Sequence, residues 1–120
     1  MNSTIQTVLD AISTISKTKG NVWPITAEQG EYLSTLIKEK NIKNVLELGV
    51  SHGFSTIYMA DALTETGGKI IGVDNNAERN KIAEENFKKC NLTNIQLQGG
   101  SCQKVIPTLD EKFDLVFIDI

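Results

Sequence analysis

The sequence predicts an α/β fold in which helices flank a parallel sheet, and three observations support this prediction. Short apolar runs of strand length alternate four times with segments of helical periodicity. The segment from Asn44 to Ser55 has the pattern of a buried strand, a glycine turn and the start of a helix. Each apolar run is followed by glycine or polar residues, which brings these residues together at one edge of the sheet.

The first 40 residues predict a helical segment that precedes the sheet. Apolar residues at helical spacing indicate an amphipathic helix over about residues 3–17. The connector after it contains Trp23, which is either a lid over a ligand or a rim residue that covers the core. A second helix, to about Lys40, begins with a capping box, in which Thr26 and Gln29 each bind the other's backbone N–H.

The central strand is predicted at Asn44–Leu48, where apolar residues surround a single acid. Gly49 and Gly53 follow it, and glycine permits both a tight turn and a close approach of the backbone to a ligand. His52, between the two glycines, is interpreted as a loop residue near that ligand. The next helix is predicted at Ser55–Leu63, with its first residue as the N-cap.

The second strand is predicted at Lys69–Val73 and ends in Asp74. An acid at this point can accept both hydroxyls of a ribose in an adenosine-type cofactor. Its alternative role is to cap the next helix, which is predicted at 77–90, and Asn75 competes for that position. Asn91 is predicted to end this helix in a left-handed conformation.

The third strand is predicted at Asn94–Gln98, and the fourth at Phe113–Ile118. A short helix or turn, interrupted by Pro107, lies between them. A doubly wound sheet would have the strand order 3-2-1-4, with a ligand outside the carboxyl ends of the strands. The polar and glycine residues at that edge are Glu47, Gly49, Asp74, Ser101 and Asp119.

The turn after the first strand discriminates between nucleotide ligands. A dinucleotide site has the pattern G-x-G-x-x-G, but here Gly49 is followed by Val50 and Ser51, so the second glycine is absent. A carboxylate at Glu47 would also repel a pyrophosphate group, whereas it suits a ligand that carries positive charge. S-adenosylmethionine (SAM) has a sulfonium and an ammonium group and no phosphate. The turn therefore favours SAM.

The stretch E-L-G-V-S-H-G-F-S resembles the first motif of class I SAM-dependent methyltransferases. Within that class it is most similar to the cation-dependent O-methyltransferases of the catechol and caffeoyl-CoA type. The resemblance extends from about Thr26 to Asp119. It implies a Rossmann-like fold that stops after the fourth core strand, so residues 1–120 form one partial SAM-binding domain with 1–40 as its helical segment. The implied reaction is methyl transfer from SAM to a hydroxyl group of a small-molecule acceptor.

The resemblance also implies a set of cofactor-binding residues. Glu47 would hold the methionine ammonium group, directly or through water, and Asp74 would bind the ribose. Ser101 stands where the family usually has aspartate near the adenine, and a hydroxyl can still hydrogen-bond the adenine edge. Gln103 lies in the same region. The full set is Glu47, Gly49, Val50, Ser51, Gly53, Ser55, Asp74, Asn75, Ser101, Cys102 and Asp119.

Asp119 has a second implied role, as a ligand of a divalent metal ion. Oxygen ligands suit Mg²⁺ or Ca²⁺. In the resembled enzymes, the base and further metal ligands come from segments beyond the fourth strand, and this chain ends at Ile120. One carboxylate does not make a metal site, and no catalytic residue is assigned from the sequence.

Composition and charge predict a soluble protein without nucleic-acid or membrane partners. The net charge is −3 and there is no run of lysine or arginine. No apolar stretch approaches the length of a membrane span, and the N-terminus lacks the pattern of a signal peptide. Cys90 and Cys102 form no disulfide framework, so a reducing, cytoplasmic setting is the simplest expectation.

The fourth strand predicts a further partner. Its apolar residues, Leu115 to Ile118, would form an open edge that another strand can pair with. We therefore expect that the chain self-associates through this edge, as a homo-oligomer, or is a fragment of a longer protein.

Two other functions remain open at this point. The chain could bind SAM or S-adenosylhomocysteine (SAH) without catalysis, because the acceptor half of the resembled enzymes is missing. A NAD-linked oxidoreductase is the third reading, and both the absent G-x-G-x-x-G pattern and the acid at Glu47 argue against it.

Overall fold

Helices and parallel strands alternate along the chain, as predicted, in a computed structural model that describes residues 1–19 and 24–120. Trp23 lies outside the described residues, so neither of its two predicted roles is tested. The helices are α1 (Ser3–Lys19), α2 (Ala27–Glu39), α3 (Phe54–Thr66), α4 (Ala77–Lys89) and α5 (Cys102–Val105). The strands are β1 (Asn44–Leu48), β2 (Lys69–Asp74), β3 (Ile95–Gly99) and β4 (Leu115–Ile118). A single 3₁₀ turn, Ile106–Thr108, follows α5.

The four strands form one parallel sheet in the order β3-β2-β1-β4, which confirms the predicted order. Strand β1 lies between β2 and β4, with Leu48 beside both Val73 and Ile118. Because parallel strands all end at the same edge, the loops after the four strands meet there. This edge contains the residues that the sequence predicts to bind a ligand.

The two faces of the sheet are covered to different extents. On one face, α3 is buried along most of its length between the sheet and helices α1, α2 and α4. Most of the buried apolar residues lie on this face, so it supplies most of the core. Fully burying one leucine or isoleucine stabilises the fold by about 2 kcal/mol. On the other face, Leu46, Leu48, Ile71 and Val73 are covered only by partly buried residues from the region of α5.

The start of α3 differs from the prediction. Ser55 does not cap the helix: the N-cap is Gly53, which has a φ of 94° and makes no side-chain cap bond. Ser55 lies in the first turn, and its hydroxyl donates to the carboxyl group of Glu47. A Cβ atom on Gly53 would come within 2.5 Å of the Phe87 ring, so glycine is required there for space as well as for φ.

The start of α4 differs by one residue. Asn76, and not Asn75, caps the helix, and its side-chain oxygen accepts from the backbone N–H of Arg79 at 3.0 Å. The carboxyl group of Asp74 in turn accepts from the backbone N–H of Asn76 at 3.0 Å. This bond places Asn75 within the turn before the helix, so the cap lies one residue later than predicted. Asp74 therefore does not cap the helix either.

Other local predictions are confirmed. Thr26 and Gln29 form the capping box at the start of α2, with bonds of 3.0 and 3.1 Å. Asn91 follows α4 with a left-handed φ of 58°. Strand β4 begins at Leu115, two residues later than predicted. Before it, the Asp114 side chain accepts from the backbone N–H groups of Lys43 and Asn44, and the backbone N–H of Asp114 donates to Asn44 at 2.8 Å. Among the described residues, no helix is both long and apolar enough to span a membrane.

Candidate functional site

A cavity of about 640 Å³ lies at the carboxyl edge of the sheet, and we call it the edge cavity. This volume is within the range of about 300 to 1,000 Å³ that is typical of small-molecule sites. The loops after all four strands contribute to its walls. The lining residues are Gly49, Ser51, Val73, Asp74, Asn75, Arg79, Gly100, Ser101, Cys102, Gln103, Asp119 and Ile120.

A narrow cleft of about 10 Å³ adjoins the edge cavity, since Ser51 and Asp119 line both. It lies between the start of α3 on one side and, on the other, α1 and the residues just before α2. We call it the cleft. Its remaining lining residues are Ile12, Pro24, Ile25, Val50, His52, Phe54 and Ser55. The predicted loop position of His52 is therefore correct, and this side chain is buried beside the site.

The structure brings together nine of the eleven residues that the resemblance implies for cofactor binding. Seven line the edge cavity: Gly49, Ser51, Asp74, Asn75, Ser101, Cys102 and Asp119. Val50 and Ser55 line the cleft. Glu47 and Gly53 line neither space. The sequence analysis did not identify Arg79 or Ile120 as site residues. Arg79 could have been identified from its position in the first turn of α4, and Ile120 from its position after β4.

Asp74 organises the glycine turn. One of its carboxylate oxygens accepts from the backbone N–H groups of Val50 and Ser51, both at 2.9 Å. The other oxygen accepts from Asn76 N–H. A carboxylate offers about four acceptor positions, so roughly one is left for a ligand hydroxyl. Ribose binding by Asp74 stays a prediction.

The backbone of Asp74 ties a third loop to the site. Its carbonyl oxygen accepts from the Asn80 side chain at 2.9 Å and from the backbone N–H of Gly100 at 3.2 Å. The loops after β1, β2 and β3 therefore hold one another in place without a ligand. Ser101 follows Gly100 and caps α5, where its hydroxyl oxygen accepts from the N–H of Lys104.

Gly49 permits the close approach of β1, β2 and β4 at this edge. Its φ is 94°, and a Cβ atom there would collide with the backbone carbonyl oxygen of Asp119. Its N–H donates to Val73 at 2.9 Å, while the N–H of Asp119 donates to Leu48 at 2.8 Å. A residue with a side chain could not hold these three strand ends together.

Glu47 is fully buried beneath the site. The hydroxyl groups of Ser55 and Thr56 each donate to one of its carboxyl oxygens. Burial raises the pKa of this carboxyl to about 8, the two hydroxyls oppose the shift, and the acids Asp119 and Asp74 add to it. The group is therefore mainly protonated at neutral pH. The sequence analysis instead expected a charged carboxylate near the end of β1.

The residues present do not fit a complete metal centre. Within 1–19 and 24–120, no group of three histidine, cysteine or acidic side chains is placed to share an ion. Asp119 lines both the edge cavity and the cleft, and is the one candidate ligand that the sequence identified there. A divalent ion at this site would need further ligands that the described residues do not supply.

The sequence matches the model of the O-methyltransferase family over residues 3–120. The chain belongs to this family. A catechol O-methyltransferase from Niastella koreensis is 34% identical over 100 residues, which are 79% of this chain and 45% of that protein. Caffeoyl-CoA O-methyltransferase 2 from Petunia hybrida is 33% identical over 106 residues, which are 82% of this chain and 43% of that protein. The chain thus spans under half the length of these two relatives.

The fold of this O-methyltransferase family member also matches solved structures. An O-methyltransferase from Bacillus cereus in complex with SAH has a TM-score of 0.81 and 27% sequence identity. The match covers 99% of this chain and 55% of that one. The family and the Rossmann-like methyltransferase fold that the first motif resembles are both confirmed.

Proposed function

We propose that this chain is the cofactor-binding part of a SAM-dependent O-methyltransferase that methylates a hydroxyl group of a small molecule. One observation carries the proposal: a cavity at the carboxyl edge of a 3-2-1-4 sheet is lined by the loops after all four strands. The relative from Bacillus cereus, which holds SAH, supports the choice of cofactor. We also propose that residues 1–120 act as one partial SAM-binding domain, with 1–40 as its helical segment.

The two adjoining spaces suggest how the cofactor lies. The edge cavity accommodates an adenosine group, with Asp74 accepting one ribose hydroxyl and Ser101 or Gln103 beside the base. The methionine end then extends past Ser51 toward the cleft. Bound SAM supplies an electrophilic methyl group. The chain's own part is to bind and orient it, and the preformed hydrogen bonds of the loops reduce the ordering cost of binding.

A divalent cation, Mg²⁺ or Ca²⁺, is part of the proposal only as a partner of Asp119. The resemblance to cation-dependent O-methyltransferases supports such an ion, but the described residues do not complete its coordination. We assign no step to it. The acceptor hydroxyl and its base also lie outside what these residues define.

A second candidate is a module that binds SAM or SAH without catalysis. The described residues do not complete a metal site, and this observation favours it. SAH formation from SAM, with catechol as acceptor and Mg²⁺ present, separates the two candidates. Turnover would exclude the binding module, and saturable binding with no turnover would favour it.

Calorimetric titration with SAH and, separately, with NAD⁺ tests the cofactor assignment. We expect saturable binding of SAH and none of NAD⁺. Cys102→Trp places a large ring in the edge cavity and should abolish binding. Thr35→Trp adds the same ring to the exposed side of α2 and should bind as the unaltered chain does. Binding of NAD⁺ alone would overturn the proposal in favour of the oxidoreductase.

We also propose that strand β4 is an association edge and that the protein works in a reducing, cytoplasmic setting. Val116 and Ile118 on this edge strand are 48% and 61% exposed, which supports the first proposal. Cys90 and Cys102 are both free thiols, which supports the second. The other partner that we propose is a small-molecule acceptor. We propose neither a nucleic-acid nor a membrane partner.

A further inference from the structure

The segment between β3 and β4 covers one face of the sheet and also forms part of the edge cavity. We call residues 101–113 the strap, and they contain α5 and the 3₁₀ turn. The strap's apolar side chains pack on the buried cluster of β1 and β2, and they are Cys102, Val105, Leu109 and Phe113. Its first three residues line the edge cavity. Cys102 therefore belongs both to the packed face and to the cavity wall.

The residues on either side of the strap are fixed to the sheet by hydrogen bonds. Before it, the backbone N–H of Gly100 donates to the carbonyl oxygen of Asp74 at 3.2 Å. After it, one carboxylate oxygen of Asp114 accepts from the backbone N–H groups of Lys43 and Asn44, both at 3.1 Å. The strap can therefore leave the sheet as a loop between two fixed ends, while β3 and β4 stay paired.

Between these ends the strap is held weakly. No residue of α5 or of the 3₁₀ turn is buried, whereas α3 on the opposite face is buried along most of its length. The ion pair of Lys69 and Glu111 joins the strap to β2, but its side chains are 52% and 38% exposed, so it contributes little. A helix of four residues is not stable on its own. A segment with so few buried contacts opens more readily than the rest of the fold.

We propose that the strap opens as a unit when no cofactor is bound, that a bound cofactor holds it closed, and that Leu109 is a positioning residue for the cavity wall. Leu109 packs on the sheet but does not line the edge cavity, so it acts on the cofactor through the start of the strap, at Cys102. This inference rests on the proposed SAM-binding function. It goes beyond that function because it makes cofactor affinity depend on a contact outside the cavity.

The closed fraction of the strap sets the affinity for the cofactor. If SAH binds only the closed form, its apparent Kd is the intrinsic Kd divided by the closed fraction. By the same linkage, SAH at about 100 times its Kd should reduce opening roughly 100-fold. Amide hydrogen exchange reports the opening, because the N–H groups of Val105 and Ile106 donate within the strap, to the carbonyl oxygens of Ser101 and Cys102.

Amide exchange, measured residue by residue with and without SAH, tests the opening and its coupling to the cofactor. In the unbound chain we expect the Val105 and Ile106 amides to be protected at least roughly tenfold less than the amides of α3. Saturating SAH should slow their exchange as the linkage requires. Equal protection of the strap and α3 in the unbound chain would overturn the inference. SAH binding that leaves strap exchange unchanged would also overturn it, and the proposed function would stand.

Leu109→Ala separates positioning from a general loss of stability. It removes a half-buried contact of the strap, so it should increase strap opening about tenfold and lower the SAH affinity in calorimetry at least roughly twofold. Leu36→Ala is the matched control, because Leu36 of α2 is also half-buried but packs on the other face of the sheet. It should change neither strap exchange nor affinity. Leu109→Met, which keeps the volume, should behave as the unaltered chain does.

The two alanine variants give distinct outcomes. Equal effects of both on strap exchange would mean that the strap opens only when the whole chain unfolds, which contradicts the inference. An unchanged SAH affinity in Leu109→Ala would rule out its positioning role. If a folded chain binds no SAH, the proposed function and this inference both fail. If Leu109→Ala does not fold, exchange of the unaltered chain with and without SAH still decides.

Discussion

Glu47 shows how a single side chain couples the core of this protein to its candidate site. It is an acid on the central strand with no exposed surface, and two hydroxyls replace the water that it loses on burial. Burying a carboxylate without a cation is costly, so the group is held mainly as the neutral acid. The stability of the fold should therefore depend on pH through this residue.

Glu47→Gln should flatten the pH dependence of stability. The pKa of Glu47 is about 8 in the folded chain against an ordinary 4.5, so the folded chain binds more protons than the unfolded chain between these values. The free energy of unfolding should fall as pH rises through that window and level off above it. Between about pH 5 and about pH 9 the loss is at most roughly 5 kcal/mol.

Urea unfolding of the unaltered chain and the variant over this pH range measures the effect. Glu39→Gln, which changes an exposed carboxyl on α2, is the control and should keep the slope of the unaltered chain. An unchanged slope in Glu47→Gln would mean that Glu47 is not held as the neutral acid.

Gly49→Ala should damage both the fold and ligand binding. Its left-handed φ costs an alanine about 1 kcal/mol, and the added Cβ collides with the carbonyl oxygen of Asp119. Gly67→Ala is the matched control, because Gly67 also has a positive φ but nothing lies within 4 Å of its added Cβ. We expect the control to lose about 1 kcal/mol of stability with unchanged SAH affinity.

For Gly49→Ala we expect a larger loss of stability and an affinity for SAH at least roughly tenfold lower, which corresponds to about 1.4 kcal/mol. Thermal unfolding and calorimetry measure the two effects. Equal behaviour of the two variants would show that the collision at Gly49 is relieved by a small backbone shift.

The sequence predicts some residue roles better than others. Gly49 and Asp74 were identified because a glycine turn and an acid at a strand end have few structural alternatives. Ser55 was misassigned as a cap because serine is a good N-cap, and no local pattern reveals that Glu47, eight residues earlier, binds its hydroxyl. The neutral state of Glu47 was missed because it depends on burial by the whole fold.

At the scale of elements, the start of α4 forms part of the site's frame. The sequence offered two adjacent asparagines, and local propensity does not distinguish them. Asn76 is the helix cap, because Asp74 accepts from its backbone N–H, whereas Asn75 is exposed at the edge cavity. The strands and long helices were predicted closely, since their periodicity extends over many residues.

Replacing each asparagine by alanine separates the two roles. Asn76→Ala removes the side-chain oxygen that accepts from Arg79 N–H, so it should cost about 1 kcal/mol of stability. Asn75→Ala removes no helix cap and should change stability little. Urea unfolding measures both. An equal loss in the two variants would mean that Asn75 and Asn76 share the capping role.

At the scale of the whole molecule, the two edges of the sheet differ in polarity on the same face. Gln96 and Gln98 of β3 lie beside Ile71 and Val73, whereas Val116 and Ile118 of β4 lie beside Leu46 and Leu48. An edge strand that carries polar side chains resists pairing with another chain, and an apolar one invites it. The sequence predicted the exposed edge at β4, but the contrast with β3 required the strand register.

We expect the chain to associate through β4, and Val116→Lys with Ile118→Lys should reduce this association in sedimentation velocity experiments. The matched control, Gln96→Lys with Gln98→Lys, adds the same charge to the β3 edge and should leave association unchanged.

If two copies of β4 pair antiparallel about their centre, Asp114 of each lies opposite Asp119 of the other, and like charges there oppose pairing. Added salt should therefore strengthen the association. A monomer at every salt concentration would contradict the proposal.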